Sequence, residues 1–375
     1  MKILFFANTE WYLYNFRLSL AEALREKEYR VVFLSPPGEY GERLKAKGFQ
    51  WLPFPLSRRG TNPLFELLTI WRISRLYKRE RPRLVHHFTI KCVLYGSLAA
   101  RWVGVKGVVN SITGLGYVFI DERLPARLIR FLVKGFYRLA LKGTRVIFQN
   151  PDDQDLFLKL GLVRLEQCDL IRGSGVDTKR FFPRKKPEGL SVVMLVSRML
   201  WDKGIGEFVS AAKVLNSAGI KARFVLVGRS DLGNPAAVSE EQIMIWQKDG
   251  LVEWWGWQDD MSQVYNQAHI VCLPSYREGM PRSLAEAAAC GCPIVATDVP
   301  GCRELVRHGV NGLLVPDHNN LALADAIKLL IENPAVREQM GARGREIVEN
   351  EFSTERVVAD TLRVYNQILE RKDFL

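Results

Sequence analysis

No stretch of this sequence approaches the ~20 consecutive apolar residues that a helix needs to cross a bilayer. A membrane-spanning helix is therefore not expected. The apolar run in MKILFFANTE is short and is followed by acidic, helix-patterned sequence, so it does not read as a secretory leader. Cysteine is sparse and scattered at Cys92, Cys168, Cys272, Cys290, Cys292 and Cys302, with neither a disulfide framework nor a zinc spacing. Cys290-Gly-Cys292 admits two readings, a metal or redox pair, or small buried thiols in a reducing compartment; the scatter of the others fits the second. No G-x-G-x-x-G follows the first apolar run, which argues against a dinucleotide oxidoreductase. Low-complexity segments and short-period repeats are missing too.

Acidic residues are also short in one half. Residues 1–180 carry 31 Lys+Arg against 16 Asp+Glu, whereas the remainder carries 22 against 25. The overall charge of +12 thus sits in the N-terminal half, which implies an anionic partner there: nucleic acid, acidic lipid or a phosphorylated substrate. Composition is otherwise that of a folded protein, with 47% apolar and 25% charged residues. A length of 375 residues suggests about two domains.

Short, wholly apolar runs alternate with amphipathic stretches. ILFFA, RVVFLS, QWLPF, RLVHHF, GVVNSI and TRVIFQN read as strands with helical patterns between them. Such strands indicate parallel sheets covered on both faces. At residues 173–190, GSGVDTKRFFPRKKPEGL breaks the periodicity with Gly, Pro and Lys and reads as a linker. The alternation restarts with SVVMLV, RFVLVG, LVEWWG, HIVCLP, PIVAT and GLLV. The expected architecture is α/β, with two Rossmann-like doubly wound domains facing across a cleft. They occupy residues 1–178 and 179–355, and a helix in 356–375 returns to the first.

The chemistry concentrates in HIVCLPSYREGMPRSLAEAAAC. Glu278 follows a buried strand, Pro281 suits the first helical position, and Gly291 suits the stop. The free amides of the helix start favour an anion. Gly279 lets a ligand approach the backbone. Glu286, further along the helix, suits a vicinal diol such as ribose, and Glu278 suits sugar hydroxyls. Together they read as a clamp on a sugar nucleotide; alone they would equally be a surface charge and a helix ion-pair partner. In SVVMLVSRMLWDKGIGEF, Arg198 and Lys203 flank a strand-to-helix loop where a diphosphate would dock.

SRMLWDKG, VLVGR, WWGW and PSYREGMPRSLAEAAACGCPIVATDVPGCREL together resemble the retaining nucleotide-sugar transferases of glycosyltransferase family 4, which have the GT-B architecture. The resemblance spans most of residues 190–315. It implies catalytic roles for Glu278, Arg198 and Lys203, with Glu286 on the ribose and Gly279, Met280 and Pro281 at the sugar and diphosphate. Gly228, Arg229 and Trp257 would lie near the base, although Trp257 suits the core equally. The N-terminal half resembles, more loosely, bacterial members acting on lipid-linked sugars, including N-acetylgalactosaminyltransferases. Relatives often carry a glycine-rich loop after the first strand; ANTEWYLYNFR has no glycine. Trp11, Tyr12 and Tyr14 are instead expected as an aromatic wall for the acceptor, and Gly114 and Gly116 as a close backbone approach. His86, His87 and Lys91 either face the ligand or, for the histidines, sit satisfied in the core. Neither a protein nucleophile nor a DxD-type metal motif lies among these residues, and the architecture generally works without a divalent ion, so no cofactor is expected. The resemblance implies transfer with retention of a hexose or N-acetylhexosamine, from UDP in preference to GDP. The acceptor would be a lipid-diphosphate-linked saccharide or growing polysaccharide.

RLIRFLVKGFYRLALK sets Arg127, Arg130, Lys134, Arg138 and Lys142 along one helical stripe beside apolar residues. This suits a helix on an anionic membrane, or an ordinary solvated basic face. A second basic cluster, Arg72 to Arg83, turns the expectation towards peripheral attachment at the cytoplasmic face of a membrane. Two alternatives stand beside the transferase: an epimerase of nucleotide N-acetylhexosamines, and an anionic-polymer binder. Against the second, no nucleic-acid-binding motif is present and the charge avoids the C-terminal half.

Overall fold

The computed structural model describes residues 1–57, 62–114, 134–231 and 233–370. The chain divides into two compact units, Met1–Ser174 with Val357–Leu375, and Gly175–Arg356.

The first unit runs β1 (Lys2–Phe6), α1 (Glu10–Glu26), β2 (Arg30–Ser35), α2 (Glu39–Ala46), β3 (Gln50–Pro53), α3 (Pro63–Glu80), β4 (Leu84–Phe88), α4 (Ile90–Val103), β5 (Gly107–Ile112), a helix α5 at 134–141, β6 (Arg145–Phe148), α6 (Pro151–Lys159) and β7 (Cys168–Leu170). The strands form one parallel sheet in the order β3-β2-β1-β4-β5-β6-β7. The apolar runs recognised in the sequence are β1 to β6; β7, with Asp169, was not among them. The runs are largely apolar because helices cover both faces, α1 on one and α3 and α4 on the other.

The second unit runs β8 (Ser191–Val196), a single 3-10 turn (Trp201–Lys203), α7 (Ile205–Ser217), β9 (Ala222–Val227), α8 (Glu240–Lys248), β10 (Glu253–Trp254), α9 (Met261–Gln267), β11 (Ile270–Leu273), α10 (Arg282–Ala289), β12 (Ile294–Thr297), α11 (Cys302–Leu305), β13 (Gly312–Val315), α12 (Asn320–Glu332) and α13 (Pro334–Ile347). Its parallel sheet has the order β10-β9-β8-β11-β12-β13. In both sheets the order reverses once, between β1 and β4 and between β8 and β11. A crevice opens at the carboxyl ends of strands at such a reversal. The fold is thus the doubly wound α/β pair expected from the sequence.

The last helix, α14 (Thr354–Leu369), starts at the edge of the second unit and packs on the first. Val357, Thr361, Val364, Tyr365 and Ile368 form its buried stripe, at helical spacing, against Phe5, Phe33 and Phe88. Each large apolar side chain buried there contributes about 1.5–3 kcal/mol. The crossing between units falls at Ser174–Gly175, and much of the Gly- and Pro-rich segment after it is anchored rather than loose. Val176 and Phe181 are buried in the second core, and Arg345 donates to the carbonyls of Thr178 and Phe181. Among the described residues no helix is long and apolar enough to cross a membrane.

Candidate active site

In the second unit the loops after β8 and β11 rise side by side at the reversal point. They are locked together by backbone. Gly204, at φ +71°, lies so close to Pro274 that a Cβ there would sit 2.1 Å from its carbonyl oxygen. The Tyr276 amide and the Ser275 hydroxyl both donate to the Asp202 carbonyl, at 3.0 and 3.1 Å. A third loop joins at Gly301, whose φ of +83° leaves it against the Glu278 and Gly279 carbonyls. The Glu278 amide donates to Pro300. The loop carrying Glu278 is therefore fixed from two sides.

This frame brings Lys203 onto Glu278: Nζ donates to Oε1, and both side chains are mostly shielded, at 19% and 13% exposure. The pair bridges the two loops directly over the reversal point. The next carboxylate, Glu286, is also paired, accepting from Arg282 Nε at 2.7 Å across one helical turn. Arg282 was missed in the sequence reading, although its spacing of four from Glu286 was visible. Pro281 is the N-cap of α10, one position earlier than expected, and no side chain caps the helix. The Leu284 amide donates to the Pro281 carbonyl, and the dipole at this helix start favours an anion. Gly291 ends the helix as expected, at φ +69° after the C-cap Cys290.

The remaining expected donor residues spread along the same sheet edge. Arg198 is exposed and pairs with Asp231 at 2.8 Å, not with Glu278. Gly228 directly follows β9, and a Cβ there would meet the Ser197 carbonyl at 1.9 Å, so the chain passes too close for any larger residue. Arg229 lies over the Trp257 ring, 4.3 Å from its centre. Trp257 is 43% exposed and donates to Asp259, so it is a surface aromatic and not a core residue. Met280 packs partly buried against the core beneath α10. A support that the sequence reading overlooked lies below the loop: Tyr276 donates to Glu207 at 2.7 Å and packs at a tilt against His318, with ring centres 3.9 Å apart. Cys290 and Cys292 are buried thiols, and burial pushes Cys290 up to about 12.

In the first unit the histidines require a correction. His87 does not face a ligand: it is fully buried, with Nδ1–H donating to Asn110 at 2.8 Å and Nε2 accepting from Tyr77 at 3.0 Å. Gly96 of α4 leaves the room its ring needs. Burial holds it at about 4, so it is neutral at physiological pH. His86 is likewise sealed between Tyr365 and Ser111, and burial holds it well below the ordinary histidine value. Of the aromatic residues of α1, Trp11 and Tyr12 both pack on Phe16, Tyr12 also meets Phe88, and Tyr14 turns to Tyr40. Lys91 pairs with Glu66 at 2.6 Å and, with Gly114, lines an open pocket of about 350 Å³. Gly116, Arg127 and Arg130 lie outside the described residues. Of the rest of that basic stripe, Lys134 is part-exposed, Lys142 is exposed, and Arg138 donates to the carbonyls of Leu160 and Gly161.

Two doubly wound parallel-sheet units are the GT-B architecture. Comparison with known proteins gives the family. Residues 176–347 match the profile of the glycosyl transferases group 1, and residues 2–150 match that of the glycosyl transferase 4-like proteins. The chain is 31% identical over 355 residues to the N,N'-diacetylbacillosaminyl-diphospho-undecaprenol alpha-1,3-N-acetylgalactosaminyltransferase of Campylobacter jejuni, across 90% of this chain and 91% of the relative. It is 24% identical to the capsular polysaccharide biosynthesis glycosyltransferase CapM of Staphylococcus aureus, across 94% and 93% of the two chains. Among solved structures, HepE of Anabaena in complex with UDP and glucose superimposes with a TM-score of 0.78 at 21% identity, covering 98% of this chain and 99% of that one. A glycosyltransferase from Rickettsia africae does so at 0.80 and 18% identity, with 99% of each chain covered. The chain belongs to the group 1, family 4-like glycosyltransferases.

Proposed function

We propose that the protein moves a hexose or N-acetylhexosamine, with retention, from a UDP-sugar to a hydroxyl of a lipid-diphosphate-linked saccharide. The observation that carries this reading is the Lys203–Glu278 pair, held over the β8/β11 reversal beside the uncapped start of α10. A diphosphate arriving there meets Lys203, the α10 amides and, once Arg198 exchanges Asp231 for phosphate, a second cation. These groups stabilise the charge that grows on the departing UDP, and each is aimed where charge develops in the transition state. Drawing Lys203 towards phosphate releases Glu278 to accept from the sugar hydroxyls. Glu286, steadied by Arg282, accepts from the ribose diol, and Trp257 with Arg229 flanks the base. The acceptor hydroxyl attacks from the face the diphosphate is leaving, and a diphosphate oxygen takes its proton, so the configuration is kept.

The choice of acceptor follows the Campylobacter relative, whose name specifies a diphospho-undecaprenol substrate. An Escherichia coli relative, 26% identical over 275 residues and covering 70% of this chain and 69% of that one, is named for a UDP-galactose donor and a diphosphoundecaprenol acceptor. Placement at an anionic membrane surface has its support in α3. Leu64, Phe65, Leu67 and Trp71 are exposed at its start, and the exposed Arg72, Arg75, Lys78 and Arg79 follow. The test is a panel of UDP- and GDP-sugars with prenyl-diphosphate-linked acceptors, followed by UDP release and by NMR of the product anomer. Release that depends on acceptor, with the donor's configuration kept, is expected. Inversion, or turnover of the nucleotide sugar without acceptor, contradicts the proposal.

A further inference from the structure

The first unit contains an electrostatic anomaly that the donor chemistry leaves unused. Arg17 lies on the buried stripe of α1 and is only 4% exposed. A guanidinium stays charged at any physiological pH and is rarely buried without an acid. No carboxylate pairs with this one among the described residues. Its Nη2 donates to the Tyr12 hydroxyl at 2.7 Å, and its buried Nε–H has no acceptor. Its Cζ stands 4.3 Å from the centre of the Phe88 ring and 5.4 Å from that of Tyr12. The aromatic faces offset only part of the cost of taking a cation from water.

The location is informative. Arg17 reaches back along α1 to Tyr12, towards the helix start and the carboxyl end of β1. Phe88 ends β4. These are the two strands between which the sheet order reverses, where ligands enter doubly wound folds. Thr89, next in the chain, has φ +70°, a conformation a β-branched residue rarely adopts, and its buried Oγ1 has no partner. It precedes α4 without capping it. Thr89 also lines the 350 Å³ pocket, with Asn8, Thr113 and Gly114 at the ends of neighbouring strands; Arg17 is not on its wall but lies against the Phe88 ring, one residue before Thr89. Lys91 at that pocket is already committed to Glu66.

We propose that Arg17 receives the diphosphate of the acceptor at this reversal point, with the Thr89 hydroxyl and the first amides of α4 completing the contacts. The identity of the ligand rests on the acceptor proposed above. Nε and Nη2 form one edge of the guanidinium, the fork that takes two phosphate oxygens. The Tyr12 hydroxyl stands at the Nη2 arm of that fork, and the buried Nε–H is the other arm. Tyr12 is part-exposed and swings aside as the diphosphate enters.

The test uses the full chain with the donor site filled by saturating UDP. Calorimetry then measures inorganic pyrophosphate and a short-chain prenyl-diphosphate-linked N-acetylhexosamine on wild type and Arg17→Met, with UDP affinity and the thermal midpoint measured separately. The expected result is a loss of at least about tenfold for both ligands in the variant. UDP affinity stays the same, and the midpoint holds or rises because an uncompensated charge has gone. Equal pyrophosphate affinity in both proteins overturns the proposal, as does a parallel loss of UDP affinity, which would put Arg17 on the donor. A lower midpoint with unchanged affinity marks a structural cation and also overturns it. If Arg17→Met does not fold, Arg17→Lys keeps the charge and removes the fork. Reduced affinity for both ligands is then expected, and unchanged affinity overturns the proposal. Wild type that binds pyrophosphate through Arg17 but refuses the prenyl ligand contradicts the acceptor reading alone and leaves the anion site standing.

Discussion

Gly204→Ala perturbs the site without touching any group that carries its chemistry. At φ +71° the backbone sits in the left-handed region, which costs an alanine about 1 kcal/mol. The added Cβ lies 2.1 Å from the Pro274 carbonyl oxygen and 2.7 Å from its carbonyl carbon, against the 3.4 Å or more of ordinary contact. The β8 and β11 loops must part by about 1 Å, at a further cost of about 1–3 kcal/mol. Lys203 precedes Gly204 and Glu278 lies four residues beyond Pro274, so their pair opens with the loops. A displacement of that size costs about 10²-fold in rate. The expected variant is folded, less stable by about 2–4 kcal/mol in urea melts, and about a hundredfold slower in turnover at saturating donor, assayed well below its melting point. Gly219→Ala is the control: it shares a positive φ, +77°, but has nothing within 4 Å of the added carbon. It should lose only about 1 kcal/mol and no activity. If Gly204→Ala turns over as fast as Gly219→Ala, the loop frame does not position the site.

Glu286→Ala is expected to abolish discrimination between UDP and its 2′-deoxy analogue in calorimetry, whereas retained discrimination would remove the ribose assignment. His87 sets a pH dependence. Its folded value near 4 lies below the ~6.5 of an unfolded histidine, so the unfolded chain binds the proton first as pH falls. The stability it confers is complete above about 6.5 and drains away as pH falls through 4, a loss of about 3 kcal/mol. Urea melts from pH 7 to 4.5 should show it, and His87→Gln should flatten the curve; parallel curves would contradict the assignment. Replacing Leu64, Phe65 and Trp71 together by glutamate should end flotation with anionic liposomes at low salt while leaving UDP affinity unchanged.

The fold was legible because most of its strands are short, largely apolar runs alternating with helical patterns, as sheets covered on both faces produce. The Lys203–Glu278 site was legible at the level of residue types. Its pairing was not, because Gly204 and Pro274 come together only through adjacent parallel strands far apart in the chain. The histidine pair misled because RLVHHF reads the same whether His87 meets solvent or meets Asn110 and Tyr77. Arg17 did leave a local signal: it occupies a stripe position among Leu13, Leu20, Ala21 and Leu24, where a charge needs a reason. The lack of an acid partner became visible only when α1 was placed against Phe88.

The most direct test of the central claim, that Lys203 carries the charge of the departing diphosphate, is the single-turnover rate of Lys203→Ala at saturating donor and acceptor. A fall of about 10²–10³, with the fold intact, is expected. A wild-type rate would contradict the account.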